Sequence, residues 1–303
     1  MNDLELCSSN LKLRLAAPGT NYKSTRFDWS SQAVSVIFAN HQQCASSERP
    51  LEHPLYSQGG QGLACEFGIR TPIGYTDCAV GDWFPKLGVG FIQRENAGEY
   101  DFFHHYAVMR PLEYQISHDL PVDVPSGSQS ATIIGTCSPY RGYAWTMSRT
   151  WIVRDNTIEN RCSLRNTGDK VLETTEYCHN FIQPGNAKIG PQTFLEFGFP
   201  LAEKFEKVYD PSECLDGGHP IFKAVPQGEF FIGGLLDKPA KNTWWQMHSP
   251  ANGLTIRETL DQACIRADLW GNARVISPEL FVLIRVEPGK SQNWNRIYKF
   301  TTG

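Results

Sequence analysis

Tyr143-Ala144-Trp145-Thr146-Met147-Ser148-Arg149-Thr150-Trp151-Ile152-Val153 alternates along its length. Residues 143, 145, 147, 151 and 153 put large side chains on one face, opposite small polar ones. A period of two is the period of a β-strand, whose successive side chains point to opposite faces. Working outward, Asp155-Asn156 reads as a turn. Thr157 to Arg165 then alternates again, with Ile158, Cys162 and Leu164 on one side and Glu159, Arg161, Ser163 and Arg165 on the other. This is a half-exposed strand, and the pair forms an antiparallel hairpin. Asn166-Thr167-Gly168-Asp169 is a further turn cluster, after which Val171 to Ile182 resumes as a strand, so a three-stranded meander is expected.

The rest of the chain follows the same pattern. Ala33 to Ala39, Ala131 to Thr136, Phe230 to Leu235, Leu254 to Glu258, Cys264 to Leu269 and Leu280 to Val286 are strand candidates bounded by Gly, Pro, Asn or Asp. Long stretches of helical period are absent, so helices are expected to be few and short. So many strands exceed one small sheet, and stacking them into a large sandwich hides their edges. No repeat or linker splits the 303 residues, and a single all-β domain over 1–303 is expected.

Composition narrows the function. Twenty-eight Lys and Arg against 32 Asp and Glu leave a net charge of −4, too weak a field to attract nucleic acid or an anionic membrane as the main partner. The longest apolar runs, such as Leu280 to Ile284, are strand-sized, well short of the ~20 residues of a bilayer crossing. A small neutral molecule fits better. Met1 to Leu6 is acidic and lacks the basic and apolar regions of a secretory signal. Nine scattered cysteines without a C-x-x-C pair argue for reduced thiols, and a cytoplasmic location is expected.

The best-marked catalytic motifs are missing: there is no G-x-S-x-G, no H-E-x-x-H and no paired C-x-x-C. Gly59-Gly60-Gln61-Gly62 lacks the G-K-[ST] of a phosphate loop and reads as a turn. The glycine-rich segment from Pro72 to Gly90 reads as a surface excursion. His104 and His105, being consecutive, point to opposite faces of any strand and do not chelate a metal together. Tyr177, His179 and Phe181 share a strand face that suits either a core or a floor on which a sugar stacks. Glu279 opens a buried strand, where its bland reading is an exposed strand-end acid.

Taken in order, Ser163-Leu164-Arg165-Asn166-Thr167-Gly168, Glu176-Tyr177-Cys178-His179-Asn180-Phe181, then Trp270, Glu279, Val286-Glu287-Pro288-Gly289, Trp294 and Tyr298-Lys299-Phe300 resemble the galactose mutarotase (aldose 1-epimerase) family. The resemblance covers the C-terminal half; in the first half it rests mainly on Tyr22 to Trp29 and the Gly59-Gly60 turn. It implies a large antiparallel β-supersandwich and proton transfer at the anomeric centre of an aldose, with no cofactor and no metal. By the same resemblance Glu279 is the general base and His179 the general acid. Trp270, Asp268 and Arg94 are candidates to hold the sugar, and Gln61 and Arg26 follow from the placement of their motifs. The partner is then a small-molecule sugar, and the chain a monomer or homodimer.

Two departures stand out. Leu87 occupies the place of a second His in the hexose-6-phosphate branch, and Gln58 that of a phosphate-binding Arg. Losing both weakens a sugar-phosphate assignment and leaves open an unphosphorylated sugar or an altered ligand, and His104 or His105 is a candidate replacement for the missing imidazole. A non-catalytic carbohydrate-binding protein is the alternative. A lyase or hydrolase is the third reading, disfavoured because no second carboxylate is evident at a matching strand end.

Overall fold

A computed structural model describes residues 2–39, 42–70, 72–209, 215–216 and 219–303. Among these residues helix is confined to two short 3-10 turns, Trp29–Ser31 and Tyr56–Gln58, and no helix is long and apolar enough to cross a membrane. Almost all other regular structure is antiparallel sheet. One sheet has eight strands in the spatial order Phe194–Phe197, Trp244–Ser249, Leu254–Leu260, Ser291–Thr302, Thr157–Asn166, Tyr143–Arg154, Gln129–Tyr140, Glu113–Ser117. A second has six, in the order Lys207–Tyr209, Phe230–Gly233, Cys264–Gly271, Ile276–Val286, Leu172–Asn180, Leu63–Phe67. Trp145, Met147, Trp151 and Val153 of the first sheet share one contiguous apolar core with Cys178, Leu269, Leu280 and Ile284 of the second, so the alternating faces read from the sequence meet between the sheets. The chain has the β-sandwich architecture expected of it.

The quoted hairpin forms: Arg154 pairs with Thr157 and the register runs to Trp145 opposite Asn166. Asp155 turns the corner at φ 48°, a conformation that Asp tolerates better than most residues. The expected meander does not form. Thr157–Asn166 pairs instead with Ser291–Thr302, and Leu172–Asn180 lies in the six-stranded sheet. Asn166 explains the switch, because its side-chain amide donates to the carbonyls of Lys170 and Val286, both at 2.8 Å, tying the turn to the other sheet. The Pro72 to Gly90 segment is likewise more than a surface loop. It contains the strand Trp83–Lys86, and Phe84 packs with Tyr75, Ile92 and Tyr106 in a small separate core.

Arg149 lies on the large-residue face of its strand, fully between the sheets. Its Nε donates to Asp28 Oδ2 at 2.6 Å, and its Nη2 lies 3.3 Å from Glu176 Oε1. Arg296 donates to Glu176 Oε2 and to Glu258 Oε1, each at 2.6 Å, while Glu258 Oε2 accepts from Trp245 Nε1 and Asn180 Nδ2. Burial pushes the Glu176 carboxyl upward, but Arg296 and Arg149 together outweigh it and hold the group below its usual range. Glu258, facing one guanidinium, is pushed up by burial despite Arg296. Charges buried this way persist because each has a partner. The eight described cysteines are free thiols, seven of them buried; Cys214 lies outside the described residues.

Candidate functional site

The six-stranded sheet positions the site through its register. Asp268 stands opposite Glu279 on the neighbouring strand. Glu176 stands opposite Val282, and that register carried three residues further sets 179 against 279. Gly233 opposes Asp268, and Ala64 opposes His179. One row across the sheet thus reads Gly233, Asp268, Glu279, His179, Ala64, with three titratable side chains flanked by two small residues. The row faces away from the interior charge network, because alternation sends Glu176 and Asn180 inward and Tyr177 and His179 outward.

Above the row lies a cavity of about 750 Å³ whose wall includes His179, Glu279, Asp268, Trp270, Tyr177, Arg26, Arg70, Phe102, Phe103 and Phe281. His179 Nε2 and Glu279 Oε1 are 3.4 Å apart, and each side chain is only 4% exposed. The Glu279 strand begins at Ile276, so this carboxylate is buried within the strand and is not an exposed strand-end acid. Ser277, two residues earlier on the same face, holds it: Ser277 Oγ donates to Glu279 Oε1 at 3.2 Å and accepts from the Asn180 N–H at 2.9 Å.

Aromatic rings fix the imidazole. His179 stacks on Phe181, with centroids 4.1 Å apart and planes 10° from parallel, and meets Trp270 and Phe27 edge-on. Phe181 in turn needs Gly60, since a Cβ there would fall 1.9 Å from the Phe181 ring. That close approach gives the Gly59-Gly60 turn its place next to the site.

The electrostatics invert the protonation expected from the sequence. Burial pushes His179 well below the ordinary imidazole range, with Arg26 adding to the effect. Burial also pushes Glu279 well above the carboxylate range, reinforced by the charge of Asp268. A general base at Glu279 and a general acid at His179 require a carboxylate beside an imidazolium; burial of the pair instead favours a carboxylic acid beside a neutral imidazole. Both arrangements hold a single proton on the pair.

Two further candidates reach the wall. Asp268 accepts from the Gly234 N–H and from Arg266 Nε, both at 2.8 Å, and Arg266 also pairs with Glu206. Asp268 is thus a second carboxylate directly across from Glu279, contrary to the expectation that none would stand at a matching position. Arg26 donates from Nε to Glu66 Oε2 at 2.7 Å and from Nη2 to the Tyr177 hydroxyl at 2.9 Å, while that hydroxyl donates to the same Glu66 oxygen at 2.6 Å.

The other candidates do not line the cavity. The Arg94 guanidinium donates to the carbonyls of Tyr75, Cys78 and Asn96 and lies over the Tyr75 ring, so it braces a loop. Gln61 is buried and accepts from Asn21 Nδ2 at 2.7 Å. His104 contacts Glu95 at 2.5 Å and packs on the edge of Tyr106; His105 is exposed. Neither supplies a second imidazole, and Leu87 is buried in the main core. Sequence reasoning missed Ser277, Arg70, Phe102 and Phe103. Ser277 was within reach by carrying the alternation Phe281-Glu279-Ser277 back two residues. Arg70, Phe102 and Phe103 lie outside the strands, where no periodicity marks them.

No family model matches the sequence, and no curated protein matches it. Solved structures do resemble it. A galactose mutarotase-like protein from Clostridium acetobutylicum superposes with a TM-score of 0.63 at 9% identity, over 99% of this chain and 95% of that one. The Slr1438 protein from Synechocystis sp. PCC 6803 gives 0.62 at 11% identity, over 99% and 96%. A galactose mutarotase-like protein from Lactobacillus casei ATCC 334 gives 0.56 at 13% identity, over 99% and 100%. At these identities the likeness establishes the fold, and the chain has the galactose mutarotase-like fold.

Proposed function

We propose that this chain is an aldose 1-epimerase-like enzyme that interconverts the α and β anomers of a hexose or hexose derivative. The observation that carries the reading is the His179–Glu279 pair, 3.4 Å apart on the wall of a cavity large enough for a sugar. Opening a cyclic hemiacetal requires a proton to leave the C1 hydroxyl while another reaches the ring oxygen. The C1–O5 bond then breaks and the C1 oxygen becomes a carbonyl. Rotation about C1–C2 presents the other carbonyl face, and the reverse transfers close the ring as the second anomer. The pair suits this chemistry because it holds one proton: one member donates, the other accepts, and reclosure restores both. In the form favoured by burial Glu279 donates and His179 accepts; in the ion-pair form the roles exchange. Positioned acid–base catalysis of this kind contributes roughly 10²–10⁴-fold.

Trp270 offers a ring face to sugar C–H groups, and Arg26 and Asp268 stand where hydroxyls would be held. Exchange NMR on a panel of free hexoses tests the reading. Acceleration of anomer exchange on at least one sugar, lost in Glu279→Gln, is the expected result. No acceleration on any sugar, or full activity in that variant, overturns it. A carbohydrate-binding protein without turnover is the second reading, supported by His179 being the only imidazole in the described wall; saturable sugar binding without exchange would favour it.

A further inference from the structure

The sheet opens just where the proton-transfer pair sits. Leu172–Asn180 and Ile276–Val286 pair from Leu172 opposite Val286 to Glu176 opposite Val282, and the pairing resumes at Ile182 opposite Ile276. Pro278 stands in the gap. Ile182 and Ile276 exchange both backbone hydrogen bonds, so Asn180 and Pro278, two residues away, fall on the next hydrogen-bonding position of the ladder. Proline has no N–H to give there, which is why it is normally kept out of central strands. On its other side the strand pairs through Leu269 opposite Pro278 without a break.

Side chains fill the broken rungs. The Asn180 amide donates to the carbonyls of Pro278 at 2.7 Å and Cys178 at 3.2 Å, and Arg296 Nη2 donates to the carbonyl of Leu280 at 2.9 Å. The Asn180 backbone N–H turns to Ser277 Oγ, 2.9 Å away. Asn180 is itself fixed from the interior, since its amide also donates to Glu258 Oε2 at 2.8 Å and its Oδ1 accepts from the Tyr298 hydroxyl at 3.0 Å.

That bond decides where the Ser277 proton goes. Ser277 is fully buried, its hydroxyl has one hydrogen, and the Asn180 N–H can only donate, so the hydrogen is aimed at Glu279 Oε1, 3.2 Å away. Among the described residues no other group outside the pair donates a hydrogen bond to either side chain, and His179 Nδ1 is buried without a partner. Oε1 is engaged twice, by Ser277 and by His179 Nε2 at 3.4 Å, whereas Oε2 has no such neighbour on the cavity wall.

We propose that Ser277 is the positioning residue of the pair: its hydroxyl, aimed by the Asn180 N–H, clamps Oε1 of Glu279 beside His179 and leaves Oε2 to meet the sugar. The meeting with a sugar rests on the anomer-exchange reading; the clamp itself is read from the break at Pro278. A donor locked on a carboxylate oxygen favours the ionised acid. It works with Arg26 and against burial, Asp268 on the neighbouring strand and Glu66 on Leu63–Phe67, so it restrains the rise of Glu279 and keeps the proton transferable. His179 and Tyr177 are the other titratable side chains facing Glu279.

The test titrates Glu279 by carbon NMR in protein labelled at the glutamate carboxyl carbon, its signal identified by its loss in Glu279→Gln. Anomer exchange on a panel of free hexoses, glucose and galactose included, is followed across pH in the wild type, Ser277→Ala and Ser277→Thr. Ser277→Ala should raise the Glu279 midpoint by about one pH unit and carry the alkaline limb of exchange upward with it. Its kcat should fall roughly tenfold or more with KM little changed, because the carboxyl is no longer held in place. Ser277→Thr keeps the hydroxyl and should titrate like the wild type. If Ser277→Ala does not fold, Ser277→Cys, a weak donor of similar size, takes its place with the same expected rise. A midpoint left in place overturns the clamp, as does lost activity with an unmoved limb, which a merely structural role would give. A Ser277→Thr variant that titrates like Ser277→Ala overturns it as well. A raised midpoint without exchange on any hexose by the wild type overturns the enzymatic reading alone. Exchange by the wild type with an unmoved midpoint overturns the clamp alone.

Discussion

Glu176 and Glu279 are fully buried carboxylates on adjacent strands of one sheet, and they differ in the face they occupy. Glu176 points inward, where Arg149 and Arg296 hold its proton affinity below the usual range. Glu279 points outward to an imidazole, a serine hydroxyl and the charge of Asp268, and its proton affinity rises well above that range. Glu258, with one guanidinium, lies between them. Burial is common to all three, so the charges that face each group set the outcome: two guanidiniums at Glu176, one at Glu258, and at Glu279 a carboxylate that offsets Arg26. Two guanidiniums freeze a charge into the architecture, whereas an imidazole leaves a proton that can move.

The same conservative substitution at both places breaks the comparison most directly. Glu279→Gln removes the movable proton and should lower anomer exchange by roughly 10²–10⁴-fold. Because burial already favours the neutral form of Glu279, stability in urea should change by less than about 1 kcal/mol. Glu176→Gln should behave oppositely, costing about 3–5 kcal/mol in urea unfolding because two buried guanidiniums lose their counter-charge. The sign of its pH dependence follows from the lowered proton affinity. The Glu176 contribution is present above the unfolded carboxylate pKa and is lost as pH falls through the lower folded value, so the gap between wild type and variant should narrow on acidification.

Gly60→Ala sharpens the comparison at the site's support. A methyl group there displaces the Phe181 ring, which should cost about 1–3 kcal/mol and lower exchange activity by moving His179. Unchanged melting and activity together would show that the stacking does not position the imidazole.

The smallest expected effect is on the pH profile. The active pair holds one proton, so activity should fall on the acid side as His179 protonates, below the ordinary imidazole range, and on the alkaline side as Glu279 ionises. Asp268→Asn removes a neighbouring negative charge that raises Glu279, so the alkaline limb should move to lower pH. An unmoved limb would remove Asp268 from the tuning of Glu279.

Sequence alternation revealed whatever depends on period two. It identified the hairpin at Asp155, the shared face of Tyr177 and His179, and the strands Cys264 to Leu269 and Leu280 to Val286, each of which stops one residue short of the site residue that it carries in the structure, Trp270 and Glu279. The resemblance to mutarotases pointed to the architecture that the solved structures share. Alternation says nothing about which strand becomes whose neighbour, so Val171 to Ile182 reads as a third strand of the meander, whereas the amide bonds of Asn166 commit the turn before it to the other sheet. It also passed over Arg149, whose charge suggests solvent while its position in the pattern places it in the core. Arg94, Gln61, His104 and His105 were chemically suitable, but the first three turn to partners away from the cavity and His105 is exposed. The opposition of Asp268 and Glu279 depends on strand pairing and is invisible in a linear reading.

Ser291–Thr302 lies between Leu254–Leu260 and Thr157–Asn166, near the middle of the eight-stranded sheet. It follows every one of its sheet companions in the chain, so on the ribosome those companions emerge with a central gap unfilled. Arg296 belongs to this strand, and through it Glu258 receives its counter-charge and Glu176 the second of its two. The nascent polypeptide must therefore carry Glu258 without its guanidinium and two open strand edges until this strand zips in, a window in which chaperone capture or edge-to-edge clumping competes with maturation.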